Sequence, residues 1–458
     1  MYDLVFKDGE MIMPNVGVMR GSVAIRDGKI AAILEPGESA SAHETIDCRD
    51  LWIMPGLIDP HTHIGFGSNE TDWQTESRSA AIGGVTSLFT FHRSKDFRES
   101  APPWRELGEK QSCIDFGFHF GMTNRLHVDS LVECAERFGV PSFKVYLMYK
   151  GAAGAARGFT EIDDALLFRT MLAAAGIPGG VVGVHCENVE VIPVFREPLK
   201  EAGRNDLAAW DEQSPDFLEA ENVHRVLYFG AKAGCPVNIV HLSSKEGLDL
   251  IRRHRAHFNN PVYVETCTHY LSMSRDDEAG VLAKVNPPLR SQADMEALWE
   301  GIRDGSIFTV GSDHVPRKRA TKEGKSIWEA SAGFPGIGTL LPLLIEDGYY
   351  KRGLPLERIA AVTSLNVAKL YKVANKGSLA VGMDADLAVI DPHTKRRVTH
   401  KNLYSNSDYT PYEGRELRGW PVHTVLRGMK LVENGELTEA ALKRPAGQFL
   451  HRRPNGKN

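Results

Sequence analysis

Residues 51–63 read LWIMPGLIDPHTH, an apolar run broken by Pro55-Gly56 that resumes and ends on two histidines separated by one residue. Such a run reads as a chain leaving the surface and entering a buried parallel strand. Side chains alternate along a strand, so His61 and His63 project to one side with Cβ atoms about 7 Å apart, where both can reach one metal ion. With 17 histidines in the chain, an HxH triplet is weak by itself, since two histidines hydrogen-bonded in a loop would look the same. Further along, other apolar β-type runs end on ligand-type residues. Lys144 lies in SFKVYLMY, His185 follows GVVGV, His241 follows CPVNIV and Asp313 follows SIFTVG. Strands that deliver His, Lys or Asp at their carboxyl ends are the construction of barrel enzymes.

Working outward, β-type runs at 57–63, 84–91, 115–122, 142–149, 180–186, 236–243, 262–267 and 306–313 alternate with helical patterns. DSLVECAERFG (129–139) and TEIDDALLFRTMLAAAG (160–176) are two of these, each with apolar residues three and four apart and a closing glycine. Eight such repeats predict an α/β chain with a (β/α)8 TIM barrel, and no GxGxxG or Walker loop supports an open sheet. The first fifty residues instead alternate short strands and turns, as in GSVAIRDGKIAAIL, and the texture returns in GSLAVGMDADLAVIDP and VHTVLRGMKLVENGEL. Both termini are therefore expected to build one small β-sandwich. The predicted division is sandwich 1–54, barrel 55–375, and sandwich with C-terminal tail 376–458. Glycine-rich segments at 65–69 and 151–158 read either as mobile lids or as plain connections.

The 458 residues are 42% hydrophobic and 25% charged, with a formal net charge of -5, which offers no basic surface for nucleic acid or an anionic membrane. No basic-then-apolar leader and no stretch near 18 apolar residues is present, so a cytoplasmic protein is expected. The six cysteines show no CxxC spacing and read as reduced, small buried hydrophobes.

Four histidines and an aspartate suit zinc or a similar divalent ion, and they are too many for one catalytic ion. Two ions some 3.5–4 Å apart would use them all and would need a bridging anion. An ammonium cannot bind a cation, but a carbamate formed on Lys144 from CO2 offers two oxygens to two metals.

The motifs MPGLIDPHTH, SFKVYLMYKG, VHCEN, IVHLSS, ETCTHYL, NPPLR, GSDHVP and PYEGRELRGWPV occur in this order through nearly the whole chain. Together they resemble the amidohydrolase superfamily, and within it the cyclic amidohydrolases of dihydropyrimidinase and D-hydantoinase type. The resemblance implies a barrel flanked by a sandwich, with His61, His63 and Asp313 on the more buried metal and His185 and His241 on the more exposed one. Carbamylated Lys144 would bridge two divalent ions, zinc in the first place. A hydroxide shared by the ions would open a cyclic ureide or imide to an N-carbamoyl or similar acid. Asp313 would shuttle the proton and Tyr149 would hydrogen-bond the oxyanion. Asn286, where hydantoinases usually have serine, would hold the ring through main-chain atoms. A homotetramer or homodimer is also implied.

Two positions depart from the hydantoinase pattern: Asn286 itself, and Ala332, where relatives often carry asparagine. Allantoinase (hinted at by TDWQTES, 71–77), dihydroorotase and cyclic imide hydrolase are the alternative enzymes, and a non-catalytic scaffold protein of the same fold is a remote one. Dihydroorotase needs an arginine two residues after the second histidine, and Gly65 stands there. A neutral ring, set in an apolar lining of Phe66, Phe159 and the alanines after Gly151, is therefore expected to be opened better than dihydroorotate. His92, His119, His269 and His314 read as rim or supporting histidines, His314 being the one beside Asp313.

Overall fold

The computed structural model describes residues 1–257 and 259–452. Eight parallel strands form one sheet: β1 (Leu57–Thr62), β2 (Val85–His92), β3 (Asp115–Met122), β4 (Ser142–Tyr146), β5 (Val181–His185), β6 (Val237–Ile239), β7 (Val262–Cys267) and β8 (Thr309–Gly311). Each pairs with its sequence neighbour. The ring closes where Thr62 bridges His314 in parallel register and His63 N donates to His314 O at 2.8 Å. Every residue of β2 and β3 is buried, because the barrel interior lies on one side and the helices on the other.

The helices begin and end where their sequence gives caps. Asp163 accepts from Leu166 N and starts the helix Asp164–Ala175, so the TEID that precedes it stays outside. Leu131–Phe138 ends on Gly139 and Asp216–Ala233 on Gly234, both left-handed at φ 63° and 66°.

The second sheet has nine strands, and it draws Tyr2–Met13, Gly17–Arg26, Lys29–Leu34, Ala42–Asp47 and Trp52–Pro55 from the N-terminal side. Leu387–Ile390, Pro421–Leu426, Met429–Glu433 and Glu436–Leu437 complete it from the C-terminal side. Its core joins Leu4, Phe6, Val23 and Ile53 to Leu387, Val389 and Val425.

At the amino end of β3, buried Lys376 bonds Asp115 (2.8 Å), Asp384 (3.1 Å) and Asp386 (2.5 Å). Burial alone would lower this ammonium's pKa, but the three carboxylates hold it above the ordinary lysine value. This cluster fastens the sandwich to the end of the barrel where stability, not chemistry, is expected to reside. The tail returns to the barrel as well, with Arg452 buried and bonded to Ser142 Oγ and Phe118 O. No helix among the described residues is long and apolar enough to cross a membrane.

Three of the strands stop well short of the carboxyl ends of their apolar runs. The run 142–149 leaves its strand after Tyr146 for a 3-10 turn at Leu147–Tyr149, while 236–243 contributes only Val237–Ile239 and 306–313 only Thr309–Gly311. His241 and Asp313 lie beyond these strands in left-handed backbone, at φ 41° and 46°. Such conformations are costly for residues with a Cβ and recur where side chains must be aimed. Part of the glycine-rich segment after β4 is likewise a short helix, Gly151–Ala155.

Candidate metal centre

The six residues singled out as ligands converge at the carboxyl end of the barrel. His61 Nε2 and His63 Nε2 stand 3.2 and 3.1 Å from Asp313 Oδ1, and ligand atoms of the three all lie within 4.8 Å of one another. Beside them His185 Nδ1 is 3.0 Å and Lys144 Nζ 3.4 Å from His241 Nε2, and the His61 and His241 rings are 5.2 Å apart. Five of these residues are buried and His63 is nearly so.

Two carboxylates fix the imidazoles. His61 Nδ1 donates to Glu265 Oε1 at 2.5 Å, which commits that nitrogen and leaves Nε2 as the one aimed at Asp313. His185 Nε2 donates to Glu187 Oε2 at 3.1 Å, and Glu187 is itself held by Ser214 Oγ at 2.7 Å, which leaves His185 Nδ1 facing His241. Carboxylates behind imidazoles orient metal-binding histidines and raise their basicity. Neither Glu187 nor Glu265 was anticipated from the sequence. The available signal was a carboxylate inside a short apolar context, in VHCEN and in VYVETC.

Burial favours the neutral imidazole at His63, His185 and His241, and Asp313 stays ionised, whereas at His61 burial is outweighed by Glu265 and Asp313, which hold that imidazole above the ordinary histidine value. Burial lowers His63 to about 4 and His241 well below the usual histidine value. Burial would raise the Asp313 carboxyl, but His61 and His63 hold it well below the ordinary range. Burial also lowers Lys144 to about 8, with Asp313 and Glu265 opposing it, and its Nζ rests 4.6 Å from the centroid of the Phe91 ring.

His61 Nε2, His241 Nδ1 and Asp313 Oδ1 are buried without a hydrogen-bond partner in the described structure. The unsatisfied His61 Nε2 and Asp313 Oδ1, gathered with His63, fit a divalent ion, and an imidazole and carboxylate set is one that zinc takes. If Glu265 sets the His61 tautomer, Glu265→Gln should weaken metal binding about 10- to 100-fold, read by titration against a competing chelator. Unchanged affinity would assign the orientation of His61 to its packing alone.

The other candidate residues fall around this cluster. Tyr149 is half-buried at the cavity wall, stacked on Phe159 at 4.8 Å. Asn286 lines the same cavity with its Oδ1 accepting from Trp210 Nε1 at 3.2 Å. His314 is committed elsewhere: Nε2 bonds Glu76 at 2.8 Å and Nδ1 accepts from Gly336 N at 3.0 Å. His119 bonds Ser142 Oγ and Pro60 O, His92 bonds Ser100 Oγ, and His269 is buried against Tyr270 and Phe334.

The cavity over the cluster measures about 930 Å³, and an adjoining chamber of about 1280 Å³ shares Phe66, Arg93, Tyr149, Arg157 and Arg317 with it. Phe66, Phe159, Ala152, Ala153 and Ala156 line these cavities as expected, and Arg93 and Arg317, from other loops, add the cations that Gly65 does not supply.

Comparisons with known proteins find the chain similar to cyclic amidohydrolases. The profile of the Amidohydrolase family matches residues 229–431. The chain is 33% identical to an allantoinase of Solibacter usitatus over 99% of this chain and 98% of that one. It is 31% identical to an L-hydantoinase of Paenarthrobacter aurescens over 99% of both. The crystal structure of dihydropyrimidinase from Brevibacillus agri NCHU1002 superposes with a TM-score of 0.88 at 28% identity, over 100% of each chain.

Proposed function

The chain belongs to the amidohydrolase family as a hydrolase of cyclic amides, and from that premise we propose that it opens the ring of a cyclic ureide or imide at a two-metal centre. We assign the more buried ion to His61, His63 and Asp313 and the other to His185 and His241, with Lys144 as a bridging carbamate. The observation that carries this reading is the pairing of His61 with Glu265 and of His185 with Glu187, which commits one ring nitrogen of each and turns the other toward a shared centre. The carbamate is supported by a buried lysine whose Nζ meets an imidazole where a structural ammonium would meet a carboxylate.

Divalent ions, when bound, supply Lewis acidity for the ring carbonyl and lower the pKa of water to about 7. The chain's residues do the rest. Asp313 takes the proton of the attacking water on its carboxylate and passes it to the departing ring nitrogen, a shuttle that contributes about 10²- to 10⁴-fold. The Tyr149 hydroxyl, at the cavity wall, donates to the carbonyl oxygen as it gains charge. Asn286 presents its main chain to the ring, its side chain being tied to Trp210. Phe66 and Phe159 give the ring an apolar wall.

The products are a carboxylate and a freed amine, amide or urea nitrogen. The test is a panel of hydantoin, dihydrouracil, allantoin and succinimide offered to zinc- and manganese-loaded protein. At least one ring should open with its carboxylate detected, and activity should vanish on chelation. A loaded protein that opens none of them, and no acid-bearing hydantoin either, would refute the reading. Allantoin merits its place because of the 33% identity to an allantoinase.

A further inference from the structure

We propose that Arg93 and Arg317 form a carboxylate-binding pair, so that the ring opened here bears an acid on itself or on a short arm. The inference rests on the ring-opening reading and narrows its substrate. Arg93 directly follows β2, and Arg317 lies four residues past Asp313. Their guanidinium carbons stand 4.7 and 5.3 Å from the centroid of the Phe66 ring, and that ring is 5.3 Å from the ring of His63. The two cations are therefore one phenyl group away from the metal cluster.

Their partners set them apart. Half-buried arginines elsewhere are either neutralised, as Arg225 is by Asp164 and Glu221, Arg415 by Asp347 and Arg418 by Glu346, or have guanidinium N–H groups bonded to neutral acceptors, as Arg255 is to Ser306 O and Val262 O and Arg358 to Ile302 O and Asn15 Oδ1. Arg93 and Arg317, also half-buried, meet no carboxylate within 4.0 Å among the described residues. Arg93 has the faces of Phe66 and Tyr146, and Arg317 has Phe66 and the carbonyl of Ala332, 3.4 Å from its Nε. Cation–π contacts offset part of the cost of desolvating a guanidinium, but they add no negative charge. Burial, followed by repulsion from Arg93, lowers the pKa of Arg317, yet a guanidinium stays ionised. Two like charges in one partly dry cavity call for an anion, and a carboxylate matches the donor fork.

Arg93 is also given its track. A Cβ at Gly121 would fall 2.7 Å from Arg93 Cγ and 3.1 Å from the Tyr146 ring, so the side chain passes only because position 121 has none. Of the other arginines on the same cavity, Arg157 is exposed and Arg196 donates to Gln213 Oε1 at 2.6 Å, whereas Arg93 and Arg317 are half-buried against Phe66.

Metal-loaded enzyme should be compared on racemic hydantoin-5-acetate and 5-methylhydantoin. The wild type should favour the acid at least tenfold in kcat/KM, chiefly through KM. Arg93→Met and Arg317→Met should each reduce that preference about tenfold or more, as expected for loss of a charged hydrogen-bond partner. Arg93→Lys should restore part of it, and high salt should erode it. A wild type that favours the neutral ring, or variants that lose equally on both substrates, would overturn the inference while leaving ring opening intact. A wild type that opens neither ring, nor any of the neutral panel, would fail the underlying reading and this one together.

Discussion

Lys144→Ala is expected to lose bound metal and to fall at least about a thousandfold in turnover, with partial recovery when acetate or propionate is supplied together with zinc. The size follows from the acidity at stake, since water has a pKa of 15.7 in bulk and about 7 on a catalytic zinc. Lys144 sits on β4 with Nζ 3.4 Å from His241 Nε2, so truncation opens space for a small acid just where the carbamate would bridge. Alanine there also removes a buried stem, so circular dichroism and thermal melting must show an intact fold before the loss is read. Rescue by a carboxylic acid is the informative part, because a merely structural lysine would not be replaced by an anion. Full metal content in the variant without added acid would remove the bridging role.

Asp313→Asn should keep the fold and at least one bound metal while turnover falls by about 10² or more, with the loss in kcat larger than any change in KM. Asparagine preserves the volume and one oxygen that could still face His61 and His63, but it cannot accept and return the water's proton. The left-handed φ of 46° at this position is tolerated by asparagine as well as by aspartate, so the backbone should not move. His314, although adjacent, is bonded through both ring nitrogens to Glu76 and to Gly336, which leaves it no free nitrogen for the role. Near-normal turnover in Asp313→Asn would move the proton shuttle to another group.

Much of this site was legible because the barrel obliges ligands to stand where apolar runs end. His61 and His63 declared their common face through a single intervening residue, and Lys144 and His185 fall within strands whose apolar neighbours mark them. The exact turn geometry was less legible. His241 and Asp313 leave the strands in left-handed backbone without a glycine, so nothing in IVHLSS or VGSDHV separates a strand end from a turn. Glu187 and Glu265 were missed because a search for ligands does not look behind them, although burying a carboxylate in VYVETC demands a partner. Arg93 and Arg317 were missed for another reason: they belong to loops that follow different strands, and only the folded ring brings both over Phe66. The Gly151–Ala155 helix illustrates the same limit, since glycine and alanine in alternation carry no periodicity.

The assignment of two metals bridged by a modified lysine is tested most directly by a crystal structure of the zinc-loaded protein with anomalous data at the zinc edge. Two anomalous peaks are predicted about 3.5–4 Å apart, one among His61, His63 and Asp313 and the other between His185 and His241, with planar density extending from Lys144 Nζ to both. A single fully occupied peak beside an unmodified Lys144, in protein that opens its ring at full rate, would contradict it.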